Sequence, residues 1–121
     1  LAAGFYAIKK FLEMQDDVQI KKFALDLQAD VEAMWKSPEG NQSRTYFLSA
    51  KVEQICIFKD SSGLKNLKYI SKNIIPEKMI EHIDVDKTII GGNEFCIMNN
   101  KGKVKMTLVK EYGEVWVTIR E

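Results

Sequence analysis

The stretch FYAIKKFLEMQDDVQIKKFALDLQADVEAMWK, residues 5–36, decides the fold of this chain. It contains neither glycine nor proline, and residues that favour helices dominate it. Apolar side chains recur at helical spacing at Ile8, Leu12, Ile20, Phe23, Leu27, Val31 and Met34. The pattern therefore predicts one long helix with a stripe that packs on a sheet. Acid–base pairs four residues apart, Asp17 with Lys21 and Glu32 with Lys36, predict a solvated opposite face.

The predicted helix is too long for the domain that follows it. At 1.5 Å per residue it would run about 48 Å, whereas a compact body made from the remaining residues would be only about 30 Å across. We therefore expect the N-terminal half to project and to contact a partner or a membrane. The residues predicted for this self-association are Phe5, Ile8, Phe11 and Leu12. The alternative is a break near residues 15–17 that folds the stretch into a helical hairpin.

The first eight residues carry no charge and are followed by Lys9 and Lys10. This is how the last turns of a membrane-spanning helix would look, although eight residues are too few to span a bilayer, which needs about 20. A helix start that faces the core is the other interpretation. Because the first residue is Leu1 rather than methionine, we expect that a segment precedes it.

After a turn at residues 37–43, the hydrophobic period changes from helical to alternating. Residues 37–121 therefore form a predicted sheet subdomain that, with the helix at residues 1–36, makes one domain. The predicted strands are 45–50, 54–59, 67–71, 86–90, 93–98, 104–110 and 115–120, with a short helix at 76–82. Short connections predict hairpins in an antiparallel meander. Val104, Met106 and Leu108 should face inward, as should Val115, Val117 and Ile119, leaving Trp116, Thr118 and Arg120 outside. The fold class is α+β, with a long helix on one face of an antiparallel sheet.

Composition and motifs give little sign of chemistry. The chain is 45% hydrophobic with a formal net charge of +1, which is typical of a globular domain and not of a nucleic-acid binder. The lysines 101, 103 and 105 form only a small basic stripe, best explained as protection of a strand edge. The one histidine, His82, lies near Asp84 and Asp86, but a calcium loop beginning at Asp84 fails at its glycine and closing glutamate positions. We expect no enzyme activity, metal, cofactor, nucleic acid or small-molecule substrate, with a site centred on His82 as a third hypothesis.

Two cysteines, Cys56 and Cys96, lie inside predicted strands. Buried free thiols, a cross-strand disulfide and a metal pair are the three interpretations, and the metal pair lacks close Cys-x-x-Cys spacing. An exported domain would favour the disulfide, and a cytosolic one would favour free thiols. Asn41, Gln42 and Ser43 match an N-glycosylation acceptor in a predicted loop, which would suit an exported protein.

The layout of a long, half-unsupported helix followed by an antiparallel sheet resembles type IV pilin-like proteins. More narrowly, the runs GFYAIKKF at residues 4–11 and AKVEQICI at residues 50–57 resemble archaeal single-pass surface proteins of the pilin-like kind. The resemblance implies a hydrophobic helix upstream of Leu1 that anchors the precursor in the membrane and packs in a filament. It implies a structural subunit or tethered ectodomain at the cell surface, and transfers no assembly role to Glu13 or Asp16. The alternative is a cytosolic binding module that dimerises through the same helix.

Overall fold

The computed structural model describes the backbone of residues 2–121 and side chains from Asp16 onward. One long helix is followed by six strands and a second, short helix. The elements are α1 (Ala2–Lys36), β1 (Gly40–Phe47), β2 (Val52–Phe58), β3 (Leu67–Ser71), α2 (Val85–Thr88), β4 (Glu94–Met98), β5 (Lys103–Lys110) and β6 (Thr118–Arg120). The predicted α+β class is therefore confirmed, and α1 shows no break at residues 15–17.

The apolar stripe of α1 forms the centre of the core. Its described members are all buried, and they are Ile20, Phe23, Leu27, Val31 and Met34. Phe23 packs edge to face against Tyr46 and Tyr69, with ring centroids 5.5 and 6.2 Å away. Val104, Met106 and Leu108 of β5 face the same core, as the alternation predicts. The helix and the sheets are therefore one hydrophobic unit.

The strands form two antiparallel sheets of three strands each, in the orders β1-β5-β6 and β3-β2-β4. The predicted meander is therefore wrong. Although β4 and β5 are joined by a short turn, β4 pairs with β2 while β5 pairs with β1 and β6. Asn99 stabilises the place where the chain passes from one sheet to the other, because its side-chain amide donates hydrogen bonds to the carbonyls of Ser49 and Val52 at 3.0 and 2.9 Å. The turn then continues through Lys101 and Gly102, both with positive φ.

Two predicted elements between residues 76 and 90 are also wrong. Residues 76–82 are not helical, because Lys78 exchanges backbone hydrogen bonds with Leu67, the first residue of β3. The predicted strand at 86–90 is instead the helix α2. Asp84 starts this helix as its N-cap, accepting a hydrogen bond from the Lys87 backbone at 2.9 Å. The capping carboxylate outweighed the strand preference of the β-branched residues that follow.

The facing of the last strand is partly as predicted. Val117 and Ile119 are buried, whereas Val115, three residues before the strand begins at Thr118, is 60% exposed. Thr118, expected outside, is buried. Its strand β6 pairs with β5 along one edge and contacts α2, which accounts for the burial of Thr118.

Candidate functional site

The four residues predicted for self-association, Phe5, Ile8, Phe11 and Leu12, lie outside the described side chains. The first residue of α1 whose side chain the structure describes is Asp16. Its carboxylate pairs with Lys51 at 2.8 Å and accepts a hydrogen bond from the Ser49 hydroxyl at 2.9 Å. The hydrogen bonds from Lys51 and Ser49 lower the pKa of Asp16 despite partial desolvation. This contact ties the helix to the turn that precedes β2.

The solvent face of α1 exposes more apolar side chains, and forms fewer ion pairs between its own residues, than the sequence suggested. Val18 is 62% exposed and Leu25 is 70% exposed. Neither predicted pair, Asp17–Lys21 or Glu32–Lys36, forms an ion pair within the described part of the helix. Glu32 instead accepts a hydrogen bond from Gln28 and faces His82, which explains why the second pair does not form.

Cys56 and Cys96 are joined by a disulfide in the structure. They occupy directly opposite positions on the neighbouring strands β2 and β4. Cys56 is fully buried. The ligand atoms of Cys56, Cys96 and Glu94 lie close together, but sulfurs joined in a disulfide are not the thiolates that bind a metal.

Asn41 lies in β1 and not in a loop, as the sequence had suggested. It is exposed, and its Cα partner in the sheet is Val109 of β5. β1 is an edge strand of its sheet. The acceptor function itself remains a prediction.

His82 occupies the most unusual environment among the described residues. Its imidazole stacks on Trp35, with ring centroids 3.8 Å apart and planes 8° apart, and faces Trp116 at 5.6 Å and 18°. The backbone of His82 has φ 70°, a left-handed conformation that is uncommon outside glycine. We call Trp35, His82 and Trp116 the aromatic stack. It connects the end of α1 to the chain that enters β6.

The hydrogen bonds around the aromatic stack favour a structural clamp. Gln28 of α1 accepts from the Glu81 backbone at 2.7 Å and donates to its carbonyl at 3.3 Å, which fixes the loop against the helix. The Val117 backbone donates to the His82 carbonyl at 2.8 Å. Nδ1 of His82 is buried and has no hydrogen-bond partner in the described part of the chain. The arrangement thus holds the ring by stacking on Trp35 and by the Glu32 carboxylate.

The ligand atoms of Glu32, Glu81 and His82 lie within 4.8 Å of one another, as in a metal site. Nε2 of His82 is 3.2 Å from Glu32 and 4.0 Å from Glu81. A metal-bound histidine normally donates its other ring N–H to a second partner, and the lone Nδ1 does not fit that pattern. Asp84 and Asp86, which the sequence grouped with His82, are engaged elsewhere: Asp84 caps α2, and Asp86 pairs with Lys59 at 3.1 Å.

A cleft of about 560 Å³ opens beside the aromatic stack. Its walls are largely apolar and include Phe58, Met79, Ile83 and Trp116. The rim carries both signs of charge, from Lys59, Lys65, Asp60 and Glu81. The buried amide of Asn66 is fully used, because it donates to and accepts from the Ile80 backbone at 2.8 Å. The cleft is therefore a neutral apolar recess with little free polar chemistry.

Sequence reasoning missed both the aromatic stack and the cleft. The stack joins residues that are far apart in the chain, so no local motif marks it. The only signal in the sequence is that it contains a single histidine and two tryptophans. The lysines 101, 103 and 105 are all exposed, but β5 is the middle strand of its sheet, so Lys103 and Lys105 lie on a solvated sheet face and the predicted protection of a strand edge is wrong.

No family model, curated protein or solved structure matches this chain. Among the described residues, no helix has the length and apolar character needed to cross a membrane.

Proposed function

We propose that this chain is a non-catalytic structural surface protein of the pilin-like kind, a filament subunit or membrane-tethered ectodomain that self-associates through its N-terminal helix. The length of α1 carries the proposal. The helix has 35 residues, about 52 Å at 1.5 Å per residue. A compact body made from the remaining residues would be only about 30 Å across. A helix so much longer than that body would project and offer its surface to a partner.

The described residues just before Ile20 support this interpretation. Asp17, Val18 and Gln19 are all exposed. Three successive residues lie about 100° apart around a helix axis, so these three span about 200° of the circumference and leave that face of α1 open to a partner. The other face is covered, because Asp16 pairs with Lys51 and Ile20 is buried. We assign the self-association to the apolar residues that precede Asp16, which are Phe5, Ile8, Phe11 and Leu12.

The Cys56–Cys96 disulfide supports a location at the cell surface. Such bonds form and persist in oxidising compartments and are rare in a reducing cytosol. An exposed Asn41 on an edge strand would be open to glycosylation in the same compartment. In this proposal a segment upstream of Leu1 supplies the membrane anchor, and neither nucleic acid nor a small-molecule substrate takes part.

Sedimentation equilibrium of the oxidised chain over a range of concentrations tests the proposal. We expect an oligomer for the wild type and a shift to monomer for the double variant Ile8→Glu/Leu12→Glu, because glutamates would disrupt an apolar contact. Leu64→Glu is the matched control, since Leu64 is 69% exposed in the β2–β3 loop. A wild type that stays monomeric throughout would overturn the proposal. An oligomer whose cysteines are free in the native cells would instead support the cytosolic binding module.

A further inference from the structure

Five strand ends meet at the end of the domain where the N-terminal half of α1 leaves the sheets. The strands β1, β3 and β4 end there and β2 and β5 begin there, as the registers of their pairs show. Asp16 of α1 contacts the same end through Lys51 and the Ser49 hydroxyl. We call this end the base, and it comprises residues 47–53, 71–73 and 98–103.

Two large apolar side chains are exposed at the base. Phe47 is 69% exposed and Met98 is 63% exposed. They lie near each other, because the residues that follow them are in contact: the Asn99 amide donates to the Leu48 carbonyl at 3.5 Å. Exposed apolar side chains that lie together are typical of a surface that binds a membrane or a partner.

Lysines dominate the charge of the base. Three of them are exposed and form no ion pair with any residue whose side chain the structure describes, and they are Lys72, Lys101 and Lys103. The base has four lysines against the carboxylates of Glu53 and the adjoining Asp16, a net charge of +2 (4 − 2), whereas the whole chain carries +1. Lys105 on the face of Lys103, and Asp17 beside Asp16, leave this balance unchanged. The base therefore attracts anions.

The helix α1 brings the base close to the membrane of the proposed function. In that proposal the uncharged residues 1–8 continue the upstream anchor, so the hydrocarbon layer ends near Ile8. Asp16 lies eight residues further along the unbroken helix, about 12 Å away. The headgroup layer on each side of a bilayer is about 5–8 Å thick. The remaining gap is shorter than the Debye length of about 8 Å, so the lysines act on the lipid phosphates across it.

We propose that the base docks on the surface of an anionic lipid bilayer. Phe47 and Met98 enter the headgroup layer, and the lysines of the base attract the lipid phosphates. This inference rests on the proposed function and deepens it, because it names the face of the domain that meets lipid and the headgroup charge that this face prefers. A second copy is a poor occupant for the base, since a two-fold contact would place like charges together.

A fluorescent label on the full oxidised chain tests the docking. Phe47→Cys supplies the one free thiol, because both native cysteines are in the disulfide, and it takes an environment-sensitive fluorophore. Ile90→Cys is the matched control, since Ile90 is 71% exposed and lies before the start of β4, at the opposite end of the domain. With vesicles of phosphatidylglycerol and phosphatidylcholine, we expect a blue shift and several-fold brighter emission only for the label at position 47. Lipids with nitroxide headgroups should quench that label alone. An equal response of the two labels, or no response at position 47, would overturn the proposal.

Charge reversal gives a second readout, by co-sedimentation with the same vesicles. Lys72→Glu/Lys103→Glu should weaken vesicle binding by about tenfold or more, because each lysine near an anionic surface strengthens binding about fivefold. Lys36→Glu/Lys65→Glu is the control, since both lysines are exposed at the opposite end and the change in net charge is the same. We expect this control to lose about twofold or less. Equal losses would show attraction by net charge without a docking face and would contradict the proposal.

The outcomes separate this inference from the proposed function. If the chain binds vesicles while the label at position 47 stays silent, the contact lies elsewhere and only this inference fails. If that label responds to protein concentration without vesicles, a second copy covers the base, which supports self-association and overturns the docking. If the wild type is monomeric in sedimentation yet docks as described, the proposed function fails and the membrane face stands.

Discussion

Removal of the disulfide is the perturbation whose effect follows most directly from the structure. Cys56 and Cys96 are 40 residues apart in sequence and link two neighbouring strands at opposing positions. The bond therefore closes a loop that includes β3, α2 and the connections between them. Replacing both residues by alanine removes the cross-link and leaves no free thiol.

The chain-entropy model gives the size of the effect. For a closed loop of this length, the cross-link stabilises the fold by roughly 4 kcal/mol, chiefly by restricting the unfolded chain. With a urea dependence of about 2 kcal/mol per molar, the midpoint should fall by about 2 M. The thermal midpoint should fall by at least about 10 °C in a domain of this size. The small loss of packing at the buried Cys56 side chain adds to these decreases.

Urea unfolding followed by tryptophan fluorescence measures this effect, because both tryptophans belong to the aromatic stack. The oxidised wild type should unfold at the highest concentration, and Cys56→Ala/Cys96→Ala should unfold close to the reduced wild type. The reduced wild type is the control for the alanine substitutions themselves. Coincident midpoints for the oxidised and reduced wild type would refute the reasoning.

Three further predictions concern the core and its titrating groups. Phe23→Ala should cost about 3–5 kcal/mol in urea unfolding, since the fully buried ring contacts Tyr46 and Tyr69; a loss below about 1 kcal/mol would contradict the packing described. Burial raises the pKa of Tyr69 to about 12, so the folded state holds this proton more tightly than the unfolded state and stability should fall as the pH rises from 10 towards 12. Tyr69→Phe should flatten that alkaline slope, and an unchanged slope would rule out Tyr69 as a cause. Asp16 has a lowered pKa, so its contribution to stability is present above the ordinary pKa of an aspartate, 3.8, and is lost as the pH falls through the lower pKa of the folded state. Asp16→Asn should therefore reduce stability at neutral pH by less than about 1 kcal/mol and weaken the acid dependence, with an unchanged acid limb as the contrary result.

Local patterns were sufficient to predict the helix and several strands. Helical spacing identified Phe23, Leu27 and Val31 as core, and strand periodicity located β3 at its observed bounds. These features depend on residues that are close together in the sequence, so the hydrophobic pattern predicts them. Asp84 is a residue type that favours the N-cap of a helix, and the predicted strand at residues 86–90 did not take this into account.

The division into two sheets could not be predicted in the same way. The partner of β1 is β5, which lies far along the chain, and the pairing depends on the core that both strands share with α1. The aromatic stack also depends on long-range contacts, since Trp35 and Trp116 contact His82 only once the helix has packed on the sheets. The spacing of residues along the sequence does not predict contacts between residues that are this far apart in the chain.

The proposed function places this domain outside the cell as a structural protein. The most direct measurement treats intact native cells with an amine reagent that does not cross membranes, followed by mass spectrometry of the protein without reduction. We predict that exposed lysines of the sheet region, such as Lys65 and Lys101, are labelled before lysis, and that peptides containing Cys56 and Cys96 are recovered as one linked species. Labelling that requires lysis, together with two free thiols, would contradict the account.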